Sequence, residues 1–260
     1  MQIRALKCFG EHAGGGNPAL VIEGEAADEA ARLAFAQARN TTCVYLDGDV
    51  VDFYYPHMRS PLCLHATLAV AHVLFARDPD AALLSVTTAM RGQRLELLRG
   101  DDAFYIRLQA QEVAQPVIPA ALLAASGLRP VSPPCAASVG SPKLLVEVAD
   151  AATLHGLQPD LASITAWGTE AGINGMYAWC RLEDGRFEGR NFNHLDPALE
   201  DSATGVAAGA LTLLLGQGLT LLQVRATGQS CLIMTRVEQN AILVGGRAEP
   251  AAVVASSGSQ

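Results

Sequence analysis

The chain has 260 residues, half of them hydrophobic and 17% charged, with a formal net charge of −8. That composition describes a folded protein with a sizeable core, built as one large domain or two of ordinary size. An acidic balance without any cluster of five Lys or Arg argues against nucleic acid and anionic membrane as partners.

The N-terminal stretch MQIRALKCFG lacks the apolar core of a signal peptide. No apolar run reaches the roughly 18 residues that a membrane-spanning helix needs. Cys8, Cys43, Cys63, Cys135, Cys180 and Cys231 are scattered without CxxC spacing. They read as reduced thiols of a cytoplasmic protein, not as disulfides or a zinc site.

The first half opens with a strand, QIRALKCF, then the turn GGGNP (Gly14–Pro18) and a second strand, ALVIE. The glycine turn is no phosphate loop: it lacks the Lys-Ser/Thr pair and leads into a strand. An acidic, alanine-rich helix is predicted over 26–38, strands over 42–46 and 50–56, and a buried helix over 66–76. ALLSVTTA, QRLELLR and AFYIRLQ read as three more strands. Five prolines between Gln111 and Pro134 mark the crossover to a second half, with a short helix at 120–125. There CAASV and KLLVEV are strands, 151–156 is helical, and SITAWG and GMYAWCRL are strands again. The loop NFNHLDPALED precedes a helix over 205–215. TLLQVRA, CLIMTRV and AILVGG close the chain. The expected division is an N-terminal lobe over 1–112, a C-terminal lobe over 113–255 and a disordered tail over 256–260.

Two helix starts resemble each other: SPLCLHATLAVAHVLF (60–75) and EDSATGVAAGALTLLLG (200–216). Both turn from polar or small residues to small apolar ones after a loop. Laying Cys63 on Ser202 puts His65 on Thr204 and Ala66 on Gly205, 139 residues apart. This suggests a duplication, two β-rich halves each wrapped around one buried helix. Two such helix starts aimed at one cleft would hold a carboxylate on their N–H groups and favour the thiolate of a cysteine placed there. Cys63, His65, Asp201 and Ser202 would then face a bound acid, the parts for moving a proton beside a carboxylate. Plainer readings stand beside these. Cys63 can be a small core filler, and Asp201 a helix cap bonding the N–H of Ala203 or Thr204. His72 reads as structural. His57 and His194 lie in or near loops, and His57 could line the cleft.

On these residues the chain resembles the phenazine-biosynthesis isomerase family, which shares the diaminopimelate epimerase fold. The resemblance rests on GNPALVI (16–22), FYYPHMRSPLCLHATLA (53–69), GSPKLLVEV (140–148) and EDSATGVAAGAL (200–211). It implies an α+β fold of two similar lobes, each a β-barrel-like sheet around a central helix, with the active site in the cleft between them. It also implies cofactor-independent proton transfer on a small carboxylic (amino or hydroxy) acid, without metal, and a homodimer. The departures matter. The family's general-base glutamate sits in a Ser-Glu-Thr stretch that here reads RNTTCV, so Asn40 stands in its place. Asparagine can orient a substrate but cannot take a proton at neutral pH. The family's Gly after Cys is Leu64, its Pro after Asp is Ser202, and its Ser after Thr-Gly is Val206.

The expected catalytic set is therefore His65, Asp201, Cys63 and Asn40. Asn17, Thr67, Ser202, Thr204, Gly205 and Val206 are expected to bind the substrate. Two alternatives keep the fold: a ligand-binding or interaction protein without catalysis, and a dehydratase or cyclase working in the same cleft.

Overall fold

A computed structural model of the chain describes residues 1–193, 200–223 and 230–251. The first elements are β1 (Gln2–Cys8), β2 (Asn17–Glu23), α1 (Glu29–Arg39), β3 (Thr42–Asp47), β4 (Val50–Tyr54) and β5 (Arg59–Ser60). The next are α2 (Leu64–Arg77), β6 (Leu83–Thr88), β7 (Arg94–Arg99), β8 (Phe104–Gln109), α3 (Ala120–Ala125), β9 (Cys135–Ala137) and β10 (Lys143–Glu147). Then come α4 (Ala151–Gly156), α5 (Leu161–Ala171), β11 (Met176–Arg181), β12 (Phe187–Phe192) and α6 (Gly205–Leu215). The last are β13 (Thr220–Gln223), β14 (Cys231–Glu238), β15 (Ala241–Gly246) and β16 (Ala248–Pro250). Among the described residues no helix is long and apolar enough to cross a membrane.

The chain forms two units, Met1–Arg107 together with the segment from Gly245, and Leu108–Val244. In the first unit the strands run in the order β16-β1-β2-β3-β4-β6-β7-β8, with β5 paired to β4. Helix α2 packs against β1, β2, β3, β6 and β16. Its residues Leu64–Ala71 are all buried, along with Val73 and Phe75. A helix apolar on every side is stable only inside such a wall. Outside the wall, α1 covers Leu20, Ile22, Tyr45 and Tyr54 with Leu33, Phe35 and Ala36.

The second unit repeats the plan with the order β15-β14-β13-β12-β11-β10-β9. Helix α6 packs on β9, β10 and β14, and Ala207–Thr212 are buried. A Cβ at Gly209 would lie 2.6 Å from Val139 Cγ2 and 3.1 Å from Val244 Cγ2, so α6 can sit this close only with glycine there. A further apolar layer joins Leu144, Val146, Met176 and Ala178 of the strands to Leu154 of α4 and Ile164 of α5. Each unit is thus a curled sheet around one central helix, as the sequence led us to expect.

Three expectations need correction. The stretch 163–168, read as a strand, lies inside α5. Asp160 caps that helix by accepting from the Ser163 N–H and O–H, and Gly172 ends it in the left-handed region at φ 68°. Ile164 and Gly168, four residues apart, are its buried positions, a helical period that outweighs the β-branched residues. Second, RFEGRNF was not read as a strand, yet β12 runs to Phe192, inside the expected loop. Third, the expected second lobe ran to residue 255. Strand β16 instead pairs antiparallel with β1, Leu6 opposite Pro250 and Cys8 opposite Ala248, which returns the chain to the first unit. Strands β5 and β16 are too short to show a period. His194, residues 224–226 of the strand read as TLLQVRA and the 256–260 tail lie outside the described residues.

Replacing Gly209 with Val is expected to cost about 1–3 kcal/mol, because the added carbons overpack a filled core. Thermal unfolding should show a midpoint several degrees lower; an unchanged midpoint would mean that α6 does not sit this close to Val139.

Candidate active site

In the first unit the site grows from the turn between β4 and β5. The Tyr55 N–H donates to Met58 O at 2.8 Å, closing the turn. Tyr55 then lies between two imidazoles, stacked on His57 at 5.6 Å and tilted against His65 at 6.3 Å between centroids. Partial burial there holds the His57 pKa below its ordinary value. Strand β5 is clamped by the buried Asp52 carboxylate. It accepts Arg59 Nε at 2.8 Å and Nη2 at 3.2 Å, Arg32 Nη1 at 3.0 Å and the Tyr54 hydroxyl at 3.0 Å. Burial and that carboxylate push the Tyr54 pKa up to about 12, so the phenol stays a donor. Arg59 also reaches Glu29 of α1 at 2.6 Å. The chain therefore leaves β5 in a fixed direction, three residues before Cys63.

Cys63 is the N-cap of α2 and makes no side-chain cap bond. Its Sγ lies 3.4 Å from His65 Nδ1, and both residues are buried, His65 only 3% exposed. Thr67 turns its hydroxyl onto Cys63 O at 2.7 Å, while its N–H makes the helical bond to the same oxygen. Thr67 thus fixes the helix start, and its hydroxyl proton is already used. Elsewhere in the chain, burial pushes the Cys43 thiol up to about 12 and Cys180 to about 11, which keeps both inert.

Asn17 and Asn40 lie at one end of the parallel β2–β3 pair, where Ala19 faces Thr42. Asn17 is buried and follows Gly16, whose φ of +108° brings the backbone against Cys8 O and Gly10 N. The glycine turn is thus a required conformation and not merely a flexible one. Asn40 is exposed, in the left-handed region at φ 44°, and its N–H ends α1 on Ala36 O and Gln37 O. Its place is explained by helix termination, which asparagine tolerates better than glutamate.

In the second unit the start of α6 is built on Gln223, the last residue of β13. Gln223 Oε1 accepts the Thr204 N–H and the Tyr177 hydroxyl, both at 3.1 Å. Gln223 Nε2 donates to Asp201 O at 2.6 Å and to Thr204 Oγ1 at 2.9 Å. The Thr204 hydroxyl in turn donates to Asp201 Oδ2 at 3.2 Å. Tyr177 reaches across β12 because Gly189 leaves room; a Cβ there would collide with the phenol ring. Glu200 is held in a two-point fork by Arg190, which also donates to Leu154 O and Leu157 O. This fork fixes the chain just before Asp201.

These contacts refine the expected set. The N-cap is Thr204, without a side-chain cap bond, and the Thr204 N–H goes to Gln223 and not to the Asp201 carboxylate expected as an alternative cap. The first helical bonds, Thr67 N–H to Cys63 O and Ala208 N–H to Thr204 O, match Cys63 with Thr204 in helix register. The sequence had matched Cys63 with Ser202. Ser202 and Val206 are half-buried and Gly205 is buried, all beside the helix start. Cys63, His65 and Thr67 come together in one unit; Asp201, Thr204, Gly205 and Val206 come together in the other.

Sequence reasoning missed Gln223, Tyr177 and Lys143. Nothing in a strand such as TLLQ distinguishes a structural glutamine from a surface one. Lys143, in contrast, is a charge inside the apolar run PKLLVEV and could have been flagged. It is 1% exposed and donates to Asn174 O. Burial lowers its pKa from 10.5 to about 8, against the pull of Asp201.

A curled sheet around a buried, uncapped helix, present twice, defines an epimerase-like α+β protein. The family model described as phenazine biosynthesis-like protein matches residues 6–254, and the chain belongs to that family. A Deinococcus radiodurans protein named "Uncharacterized isomerase" is 32% identical over 197 residues, covering 70% of this chain and 64% of the relative. That match spans a little less than two thirds of the relative's length. A predicted epimerase from Pseudomonas aeruginosa has the same fold, with a TM-score of 0.79 at 24% identity, covering 98% of this chain and 99% of that one. More distantly, a hydroxyproline epimerase from Agrobacterium vitis with bound trans-4-hydroxy-L-proline gives a TM-score of 0.56 at 13% identity, over 97% and 91% of the chains.

Two predictions follow from the second unit. Gln223→Leu removes four hydrogen bonds and strands the Thr204 N–H and the Tyr177 hydroxyl, which should cost about 2–4 kcal/mol in urea unfolding. Loss below about 0.5 kcal/mol would contradict the network. For Lys143, the folded pKa lies below the unfolded one, so the unfolded chain binds more protons between about pH 8 and 10.5. Stability must rise with pH through that window. Wild type should therefore gain thermal stability relative to Lys143→Met from pH 8 to 10.5; a constant difference would show that Lys143 is not buried with its charge.

Proposed function

We propose that this chain is a cofactor-independent isomerase or epimerase that moves a proton on a small amino or hydroxy acid. The observation that carries the reading is the Cys63–His65 contact at the start of a buried helix that no side chain caps. Membership of the family supports it, as do the isomerase and epimerase names of the relatives. The acid held by the hydroxyproline epimerase indicates the scale of ligand such a fold accepts.

In this reading, as the family resemblance implies, the acid is held at the helix starts. Its carboxylate takes the N–H groups just ahead of Thr67 and those of Gly205 and Val206, where the helix dipoles favour negative charge; the Thr67 and Thr204 N–H groups are already spent on Cys63 O and Gln223 Oε1. A C–H bond beside the carboxylate breaks, and its proton passes to His65 or Cys63 acting as base. A proton returns from Asp201 or from the same base, forming the new C–H bond on another carbon or the other face. No oxidant or reductant is needed. Asn17 and Ser202 contact the substrate, and Asn40 orients it in place of the family's glutamate. The protein would work as a homodimer in the cytoplasm.

Asn40 favours a second reading, a binding protein of the same fold. Its exposed helix-ending position supplies no proton acceptor. Elimination of water on the same scaffold would need Asp201 as the acid and would change the product mass.

The test is incubation in heavy water with a pool of amino and hydroxy acids, read by proton NMR. Wild type is expected to exchange a carbon-bound hydrogen on at least one acid. His65→Ala should slow that exchange by about 10²–10⁴-fold, the usual weight of one acid–base group. Full exchange in the variant would remove His65 from the mechanism. An acid that binds without exchange would favour the binding protein.

A further inference from the structure

Strand β12 presents alternate residues to opposite faces of the sheet. Phe192 joins the outer apolar layer with Leu144 and Met176. Asn191, its neighbour, pairs directly opposite Tyr177 and so shares the face of that phenol. This is the face turned to the start of α6, because Gln223 Oε1 accepts both the Tyr177 hydroxyl and the Thr204 N–H. A second set of contacts leads to the same place. Arg190, the residue before Asn191, forks Glu200, the residue before Asp201, at 3.0 and 2.9 Å.

Asn191 is 1% exposed, yet only one end of its amide is bound. Nδ2 donates to Asn193 Oδ1 at 2.9 Å, while Oδ1 finds no hydrogen-bond partner among the described residues. Asn193 is packed over Gly175, where a Cβ would collide with its own Cβ, so the acceptor of that bond is held in place. Tyr177 does not serve Oδ1: its phenol lies over Gly189 and its proton goes to Gln223. A buried acceptor without a donor is costly, and leucine would fill the position without that cost.

The start of α6 offers the complementary need. The Gly205 and Val206 N–H groups of its first turn have no helical acceptor and suit a carboxylate. A carboxylate only accepts, so it cannot satisfy Asn191 Oδ1. A substituent with an N–H or O–H can. We propose that Asn191 is a substrate-binding residue that accepts a hydrogen bond from the amino or hydroxyl group of the acid held at the start of α6, and so selects amino and hydroxy acids over unsubstituted ones. This rests on the reading given above, in which an acid binds at that helix start.

The experiment is NMR titration of the 15N-labelled full-length protein, following the Asn191 side-chain amide, identified by its loss in Asn191→Leu, and the Gly205 N–H. The probes are trans-4-hydroxy-L-proline, L-alanine and L-lactate, which carry a donor, and propionate, which carries none. At least one donor-bearing acid is expected to move both signals with one midpoint, and propionate to bind about 10-fold more weakly or worse. In Asn191→Leu the Gly205 midpoint for that acid should rise about 10–100-fold, to the level of propionate. Asn191→Asp, which keeps an acceptor, should restore binding. The wild-type comparison does not depend on either variant folding. Equal midpoints with and without a donor, movement of Gly205 while Asn191 stays still, unchanged binding in Asn191→Leu, or no movement with any of the four acids would overturn the assignment. Exchange in heavy water separates the two ideas. An acid that moves both signals but never exchanges a carbon-bound hydrogen fails the proposed reaction alone, and one that exchanges while Asn191 stays still fails the Asn191 contact alone.

Discussion

A helix sealed inside a sheet must still satisfy the N–H groups of its first turn, and this constraint organises both halves of the chain. The outer helices α1, α4 and α5 meet it in the ordinary way, with Asp28, Asp150 and Asp160 accepting from the third residue on. The central helices α2 and α6 do not. Their N-caps, Cys63 and Thr204, make no side-chain cap bond, so polar groups must come from the surrounding strands and turns. The features that make the site interesting follow from that need.

The two units meet it with different chemistry. In the first, a turn carries Tyr55 and His57 to the helix start, and the Asp52 clamp on Arg59 sets where that turn leads. The groups gathered there are a thiol and an imidazole, 3.4 Å apart. In the second, the Gln223 amide holds the start of α6 through three hydrogen bonds, and the groups gathered are a carboxylate and a hydroxyl. A duplicated fold has thus kept its two helix starts while its side chains diverged.

Much of this was legible in the sequence where a single period or motif sufficed. Helix α6 was read with its observed bounds because small apolar residues stop at Gly216, which takes the left-handed C-cap at φ 64°. The likeness between 60–75 and 200–216 was enough to expect a duplicated plan. Long-range contacts were not legible. Gln223 becomes important only when β13 lies beside the start of α6, and Tyr177 only because Gly189 lets it cross a strand. The misreading of α5 has a local cause: Ile164 and Thr165 suggest a strand until the Asp160 cap and the Gly172 stop are weighed with them. The match of Cys63 to Ser202 followed the motif, whereas hydrogen-bond register follows the helix. Asn40 was singled out as a departure from the family pattern, and its left-handed, helix-ending geometry could only be seen in three dimensions.

The central proposal is that a small acid is bound at the uncapped start of α2, beside Cys63 and His65. Amide NMR of the labelled protein tests it directly, by titrating in an acid found to exchange and following the N–H signals of Ala66 and Thr67. The account predicts that these signals move together with one midpoint. Signals at the start of α2 that stay still while the acid is exchanged would contradict it.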